Sequence, residues 1–139
     1  MACLTINGCG NEAKLMAKHL KDIAIGCHNL HDQNGVCPQS AEELAAFLSR
    51  DKYPDVYESL DQKKVTILWG AKFQRAGGQS VTNAAVPGQS KPKLVPLNKA
   101  VMGFQTESSG DERLVLTADG HVATVTNAVF ESMPRVVGK

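Results

Sequence analysis

Aromatic residues are scarce in this 139-residue chain: Phe, Tyr and Trp together make up 5% of it. That is too few for a surface on which nucleic-acid bases stack, or for an aromatic-rich binding face. A surplus of one charge is also missing. Fifteen Lys and Arg stand against 14 Asp and Glu, a formal net charge of +1. A nucleic-acid binder needs a basic field that displaces counterions, and a membrane-surface binder needs a polybasic segment; neither is present, so no nucleic-acid partner is expected. No run approaches the ~20 apolar residues that span a bilayer as a helix, so no transmembrane segment is expected in this chain. The start shows no basic stretch leading into an apolar one, the mark of an intact signal peptide.

Signatures of chemistry are equally thin. There is no G-x-S-x-G elbow for a serine nucleophile. Gly77-Gly78 stands without the further glycines or the lysine of a phosphate-binding loop. None of the four cysteines forms C-x-x-C. His121 follows a turn, with Asp119 two residues before it, and reads as a solvent-facing hairpin residue. No catalytic residue, no cofactor and no enzymatic activity are expected.

What is present is the composition of an ordinary globular chain, with 42% hydrophobic and 21% charged residues. The length suits one domain. Residues 1–10 read as a flexible N-terminus and 11–139 as the domain. From residue 11 to about 31, Leu15, His19/Leu20, Ile23, Cys27 and Leu30 recur at three- and four-residue spacing and form one apolar stripe of a long helix. Asn34-Gly35 suits a left-handed stop, and Pro38 prevents continuation. Ser40-Ala-Glu-Glu43 is a capping box that opens a short helix over about 41–49, burying Leu44, Phe47 and Leu48. One more turn is expected after Pro54.

The second half reads as strands. Residues 64–70, KVTILWG, are β-branched and aromatic. Residues 71–97, rich in Gly, Gln, Ser and Pro, form a long loop, mobile or holding a short edge strand at Phe73 or Val81. Strands are expected at 99–106, 113–118 and 121–125. Asp119-Gly120 predicts a two-residue type I′ hairpin turn. Thr126 or Asn127 caps a last helical turn that Pro134 stops. The expected fold is therefore α+β: a long N-terminal helix packed on a small antiparallel sheet of three to four strands, with a short second helix. Val115, Val122 and Val125 are expected to complete the core beneath the long helix.

Two clusters are candidate sites. His28, His31 and Asp32 lie at the helix end with Cys27 and Cys37 nearby, residue types that Zn²⁺ accepts. Against a metal, no four-ligand spacing repeats, and histidines near a helix C-terminus also favour its dipole and free carbonyls. Cys27 and Cys37 flank a turn-rich stretch and are a candidate disulfide, or Cys27 is a small buried hydrophobe on the helix. Ile6-Asn7-Gly8-Cys9 has the outline of a degraded lipobox, which makes Cys9 the candidate lipidation site.

Two segments resemble a known family. His28-Asn-Leu-His-Asp32 followed by Gly35-Val-Cys-Pro38 is similar to the end of the N-terminal helix in bacterial prepilin-like proteins. Val115-Leu-Thr-Ala-Asp-Gly-His-Val-Ala-Thr-Val-Thr-Asn-Ala-Val-Phe130 is similar to their C-terminal hairpin, and Ile67-Leu-Trp-Gly70 to their first strand. The resemblance implies the fold of type II secretion pseudopilins, a long helix on an antiparallel sheet. It also implies a non-enzymatic, extracytoplasmic soluble head of an envelope or surface assembly, with protein partners or copies of itself. The chain departs from the family in lacking the prepilin cleavage site and the apolar half-helix, in Leu30 where an aromatic is usual, and in Cys37 before Pro38. The alternative is a small periplasmic lipoprotein, or a ligand- or metal-binding module, on the same fold.

Overall fold

The computed structural model describes residues 6–74, 79–91 and 93–137. Four helices and eight strands are found there, in the order α1 (Ile6–Asn34), α2 (Ala41–Leu44), α3 (Pro54–Asp61), β1 (Val65–Ile67), β2 (Phe73–Gln74), β3 (Ser80–Ala85), β4 (Lys93–Pro96), β5 (Val101–Gln105), β6 (Glu112–Thr117), β7 (Val122–Thr126), α4 (Asn127–Ser132) and β8 (Arg135–Val136). None of these helices is long and apolar enough to cross a membrane.

The expected three- to four-stranded sheet is corrected to one mixed sheet of eight strands. The additional strands come mainly from residues 71–97, expected to be loop. There β2 pairs with β3, and β3 pairs with β4, both antiparallel. Their sequences alternate weakly and are broken by Gly and Pro, so pairing between them, not local pattern, makes them strands. β1, β5, β6 and β7 form the other half, all antiparallel. The two-residue β8 joins the halves. It pairs antiparallel with β3 through Ala84↔Val136 and parallel with β5 through Val101↔Arg135.

Asn83 holds the place where β2 and β8 meet along one side of β3. Its Oδ1 accepts from the Lys72 N–H at 2.9 Å, and its Nδ2 donates to the Gly70 and Val137 carbonyls at 3.0 and 3.1 Å. A side chain thus satisfies backbone groups that a continuous neighbouring strand would have satisfied.

α1 has 29 residues, a rod of about 43 Å at 1.5 Å per residue. Gly35 at φ 80° ends it in the left-handed conformation that the sequence suggested. The stripe is buried from His19 onward: Leu20, Ile23, Ala24, Cys27 and Leu30 are each at most 5% exposed. Leu15, expected in the stripe, is 48% exposed, because α1 outruns the surface it packs on. Gly26 lets α2 approach, since a β-carbon there would stand 2.7 Å from Leu44 Cδ1. The capping box forms, with the Glu43 N–H donating to Ser40 Oγ, although the Glu43 carboxylate reaches back to the Gln39 N–H. α2 is a single turn, and Phe47, expected in the core, is exposed while Leu44 and Leu48 are buried.

Both faces of the sheet are covered. Leu116, Ala118 and Met102 join the α1 stripe in the main core. Val101, Val115 and Phe130 form a second, smaller cluster with Phe104, Val125 and Met133. Strand alternation explains the division: in β6, Leu114 and Leu116 face α1 and Val115 faces α4. Of the three valines expected under the helix, only Val122 packs there, and Val115 and Val125 belong to the opposite face. The Asp119-Gly120 bend joins β6 to β7 antiparallel, as expected, but not as a two-residue type I′ turn. The Gly120 N–H donates to Thr117 O, and the Thr117 N–H donates to His121 O, which makes a three-residue loop. Gly120 takes φ 92°, whereas Asp119 stays at negative φ, its carboxylate accepting from Thr117 Oγ1 and the His121 N–H.

Asn83→Ala is expected to destabilise the protein by about 1–3 kcal/mol, since three backbone groups lose their partner. Urea unfolding followed by circular dichroism checks this; an unchanged midpoint would show that the Asn83 bonds carry no net stability.

Candidate functional site

The histidine segment at the end of α1 is the densest concentration of chemistry-bearing side chains that the sequence points to. The structure brings both of its rings against the sheet. His28 Nε2 donates to Ala118 O at 2.6 Å, at the mouth of the β6–β7 turn. His31 Nε2 accepts the Phe73 N–H at 3.0 Å, at the start of β2. Both rings lie against the Phe73 ring, at centroid distances of 4.7 and 4.6 Å. His28 therefore ties α1 to one half of the sheet and His31 ties it to the other. The bonds assign the protons: Nε2 of His28 carries one, and Nε2 of His31 does not.

A metal reading of these residues finds no support in their placement. Among the described residues no group of three or more His, Cys, Asp or Glu side chains converges as ligands. Asp32 is exposed, while His31 is 8% exposed. Cys27 and Cys37 are 1% and 2% exposed, and Cys27 is a free thiol, so the candidate Cys27–Cys37 bridge is not formed. Cys27 packs as a small apolar residue of the α1 stripe. Cys9, the candidate lipidation site, belongs to the early turns of α1. Cys3 and Gly77-Gly78 lie outside the described residues.

A second locus lies between α1 and α3, where sequence reasoning saw only a position of the helix stripe. His19 and Ser59, 4% and 6% exposed, are joined by a 2.8 Å bond between Nδ1 and Oγ. A groove of about 160 Å³ opens beside them, flanked by Glu12, Asp55, Glu58 and Lys64. Burial pushes the His19 pKa below its ordinary value of 6.5; Asp55 and Asp22 oppose this and Lys18 and Lys64 reinforce it. His19 is thus neutral at neutral pH. The pair has the separation of a nucleophile and its base. Among the described residues no third side chain bonds the His19 ring to orient it. Ser59 lies inside α3, where the backbone N–H groups at that depth are engaged in the helix. The pair is a polar pin between two helices. A His in an apolar stripe is the one signal that could have located it.

Tyr57 makes a neighbouring pin. Its hydroxyl donates to Leu48 O, its ring lies 4.4 Å beneath the Arg50 guanidinium, and burial raises its pKa. His121 and Asp119 at the hairpin are exposed, as a solvent-facing turn requires. Comparison of the chain with protein-family models, curated proteins and solved structures yields no match.

His31→Phe keeps a ring against Phe73 but removes the acceptor of the Phe73 N–H. A loss of about 1–3 kcal/mol is expected on chemical denaturation; a loss below about 0.5 kcal/mol, the scale of a surface change, would assign the histidine to ring packing alone. The His19 pin carries a pH dependence of known sign. Its folded pKa lies below the unfolded one, so the unfolded state binds the extra proton first. His19's contribution is present above about pH 6.5 and is lost as pH falls from there toward the folded pKa. His19→Asn should flatten that part of the pH profile of urea midpoints; parallel profiles for the two proteins would refute the assignment.

Proposed function

We propose that this chain is the soluble head of a pilin-like protein, a structural and interaction module of an extracytoplasmic envelope or surface assembly. The observation that carries the reading is the long helix running past its platform. From His19 onward the stripe is buried, whereas Glu12–Leu15 stand exposed and Leu15 presents an apolar side chain to solvent at 48%. A helix that outruns its own core offers a length of rod to neighbouring subunits, the role that the prepilin resemblance implies. The reading is also supported by the use to which the resembling residues are put. His28 and His31 lock the helix to β2 and to the β6–β7 turn, a structural task that presents a rigid head. Partners are protein subunits, copies of this chain among them.

Two measurements test the proposal together. Fractionation of the source cell with an epitope-tagged copy should place the protein in the envelope or sheared surface fraction; recovery with the cytoplasm would overturn the reading. Leu15→Glu changes one exposed position and should alter stability by no more than about 0.5 kcal/mol. It should nevertheless release the protein from the assembled fraction, since a charge there opposes helix-to-helix packing; retention at the wild-type level would remove α1 as the contact surface.

A further inference from the structure

The outer edge of β7 is an open hydrogen-bonding surface that the helices leave unused. Four strands have a single strand neighbour among the described residues: β1, β2, β4 and β7. β1 and β2 have only three and two residues, too few to template another strand. β4 carries Lys93 and ends on Pro96, and its pairing with β3 shifts register between Val81 and Ala84. A charge, a proline and a bulge are the devices that keep a sheet edge from pairing with another chain. β7, Val-Ala-Thr-Val-Thr, has none of them: it carries no charge and no proline, and its register against β6 is unbroken from Val122 to Thr126. All of its residues but Ala123 are β-branched, the side chains that favour strands.

The ladder bonds fix which groups of β7 face outward. The Thr117 N–H donates to His121 O at 2.9 Å, and the Asn127 N–H donates to Asp111 O at 2.8 Å. Bonded and non-bonded pairs alternate along an antiparallel ladder. Ala123 and Val125 therefore spend their backbone groups on β6, and Val122, Thr124 and Thr126 turn theirs away from it. The Thr126 carbonyl begins α4. No loop or side chain among the described residues bonds the N–H groups of Val122, Thr124 and Thr126, or the carbonyls of Val122 and Thr124. Ala123 and Thr124 are exposed, and the rest of the strand is half-buried. Val122 packs toward α1 and Val125 toward α4, so the helices cover the two faces of β7 rather than its edge.

We propose that the β7 edge is a self-association surface. β7 of a second copy of this chain pairs with it antiparallel, about a two-fold axis at Thr124, and joins the two sheets into one. The strand is self-complementary in that register. Thr124 stands opposite Thr124, Val122 of each copy stands opposite Thr126 of the other, and no charge meets a like charge. The Thr124 N–H and carbonyl exchange bonds with those of the second copy, and each Thr126 N–H donates to the Val122 carbonyl across the axis. One strand pair buries less than the roughly 1,200 Å² of a stable interface, so the association is weak and is populated at about 0.1–1 mM protein. The surface goes beyond the assembly reading and stands without it, because it uses none of the exposed positions of α1.

The test is sedimentation equilibrium of the full-length chain up to about 1 mM, where the mass should rise toward that of a dimer. Hydrogen exchange followed by NMR should slow at the Val122, Thr124 and Thr126 amides over the same range of concentration. Thr124→Lys and Thr124→Glu each set like charges opposite one another at the axis. Each should weaken the dimer by about tenfold or more, and an equal mixture of the two should regain it. Thr124 is exposed, and the backbone spectrum of each variant reports folding independently. Leu15→Glu should leave this dimer unchanged, which separates the edge from the helix contact. A chain that stays monomeric throughout overturns the proposal. So does a dimer that a folded Thr124→Lys protein retains at wild-type strength, that the mixture fails to regain, or that Leu15→Glu abolishes.

Discussion

The structure depends on the way the end of α1 is fastened to a sheet that is itself in two parts. One half, β2, β3 and β4, and the other, β1, β5, β6 and β7, share only the two-residue β8. Such a splice is too short to fix the angle between them. His28 bonds one half and His31 the other, with the Phe73 ring between them. Magnitudes separate two roles. Each hydrogen bond is worth about 1 kcal/mol net, whereas each fully buried Leu or Ile of the stripe contributes about 1.5–3 kcal/mol. Burial of Leu20, Ile23 and Leu30 therefore supplies most of the attraction. It is non-directional, so the histidines decide where along the sheet the helix stops and how it is turned.

That division recurs away from α1. Around β3, backbone groups that no strand reaches are completed by the Asn83 side chain. Between α1 and α3 the apolar contact is punctuated by His19 and Ser59, and between α3 and the end of the α2 segment by Tyr57 and Leu48 O. Each polar side chain is buried, or half-buried, and each has a partner; among the described residues no buried side-chain nitrogen or oxygen lacks one. A core built from short elements, none of the strands longer than six residues, needs such pins because each element alone buries too little to define its own orientation.

How much of this could be read from residues follows from the range of the forces involved. Local signals were legible. The three- and four-residue spacing of α1, the Gly35 stop, the Ser40 cap, and the Thr126 cap and Pro134 stop around α4 all act within one or two helical turns. The hairpin at Asp119-Gly120 was legible in position but not in turn type: a type I′ turn needs positive φ at both residues, and here Gly120 alone takes it while the Asp119 carboxylate accepts the His121 N–H. Residues 71–97 were not legible as strands. Phe73 becomes one by pairing with Val81 and by donating to His31, 42 positions away in sequence. Sheet face was illegible for the same reason: Val115 and Val122 are both apolar, and only their register across β6 and β7 sends one to α4 and the other to α1. The placement of the histidine cluster was not legible either: spacing on a helix brings His28 and His31 to one side, but it does not show that Nε2 of His28 meets Ala118 O at the β6–β7 turn while Nε2 of His31 meets the Phe73 N–H.

The scarcity of aromatic residues acquires a structural meaning from where they fall. A chain poor in rings has few side chains that combine large area with a fixed shape. Phe73 stands at the joint of α1 with β2, and Phe104 and Phe130 meet at 4.9 Å where α4 closes on the sheet. Tyr57 stands at the joint of α3 with the segment after α2. In each case a cation or an imidazole lies against the ring: His28 and His31 on Phe73, Arg113 and Arg135 on Phe130, and Arg50 on Tyr57. Ring and polar group together do what aliphatic packing cannot, since the ring excludes water from the joint while the polar group, by its hydrogen bonds, sets the angle. The aliphatic residues fill the space between these joints, and substitutions among them that conserve volume should be tolerated more readily than any change at a joint.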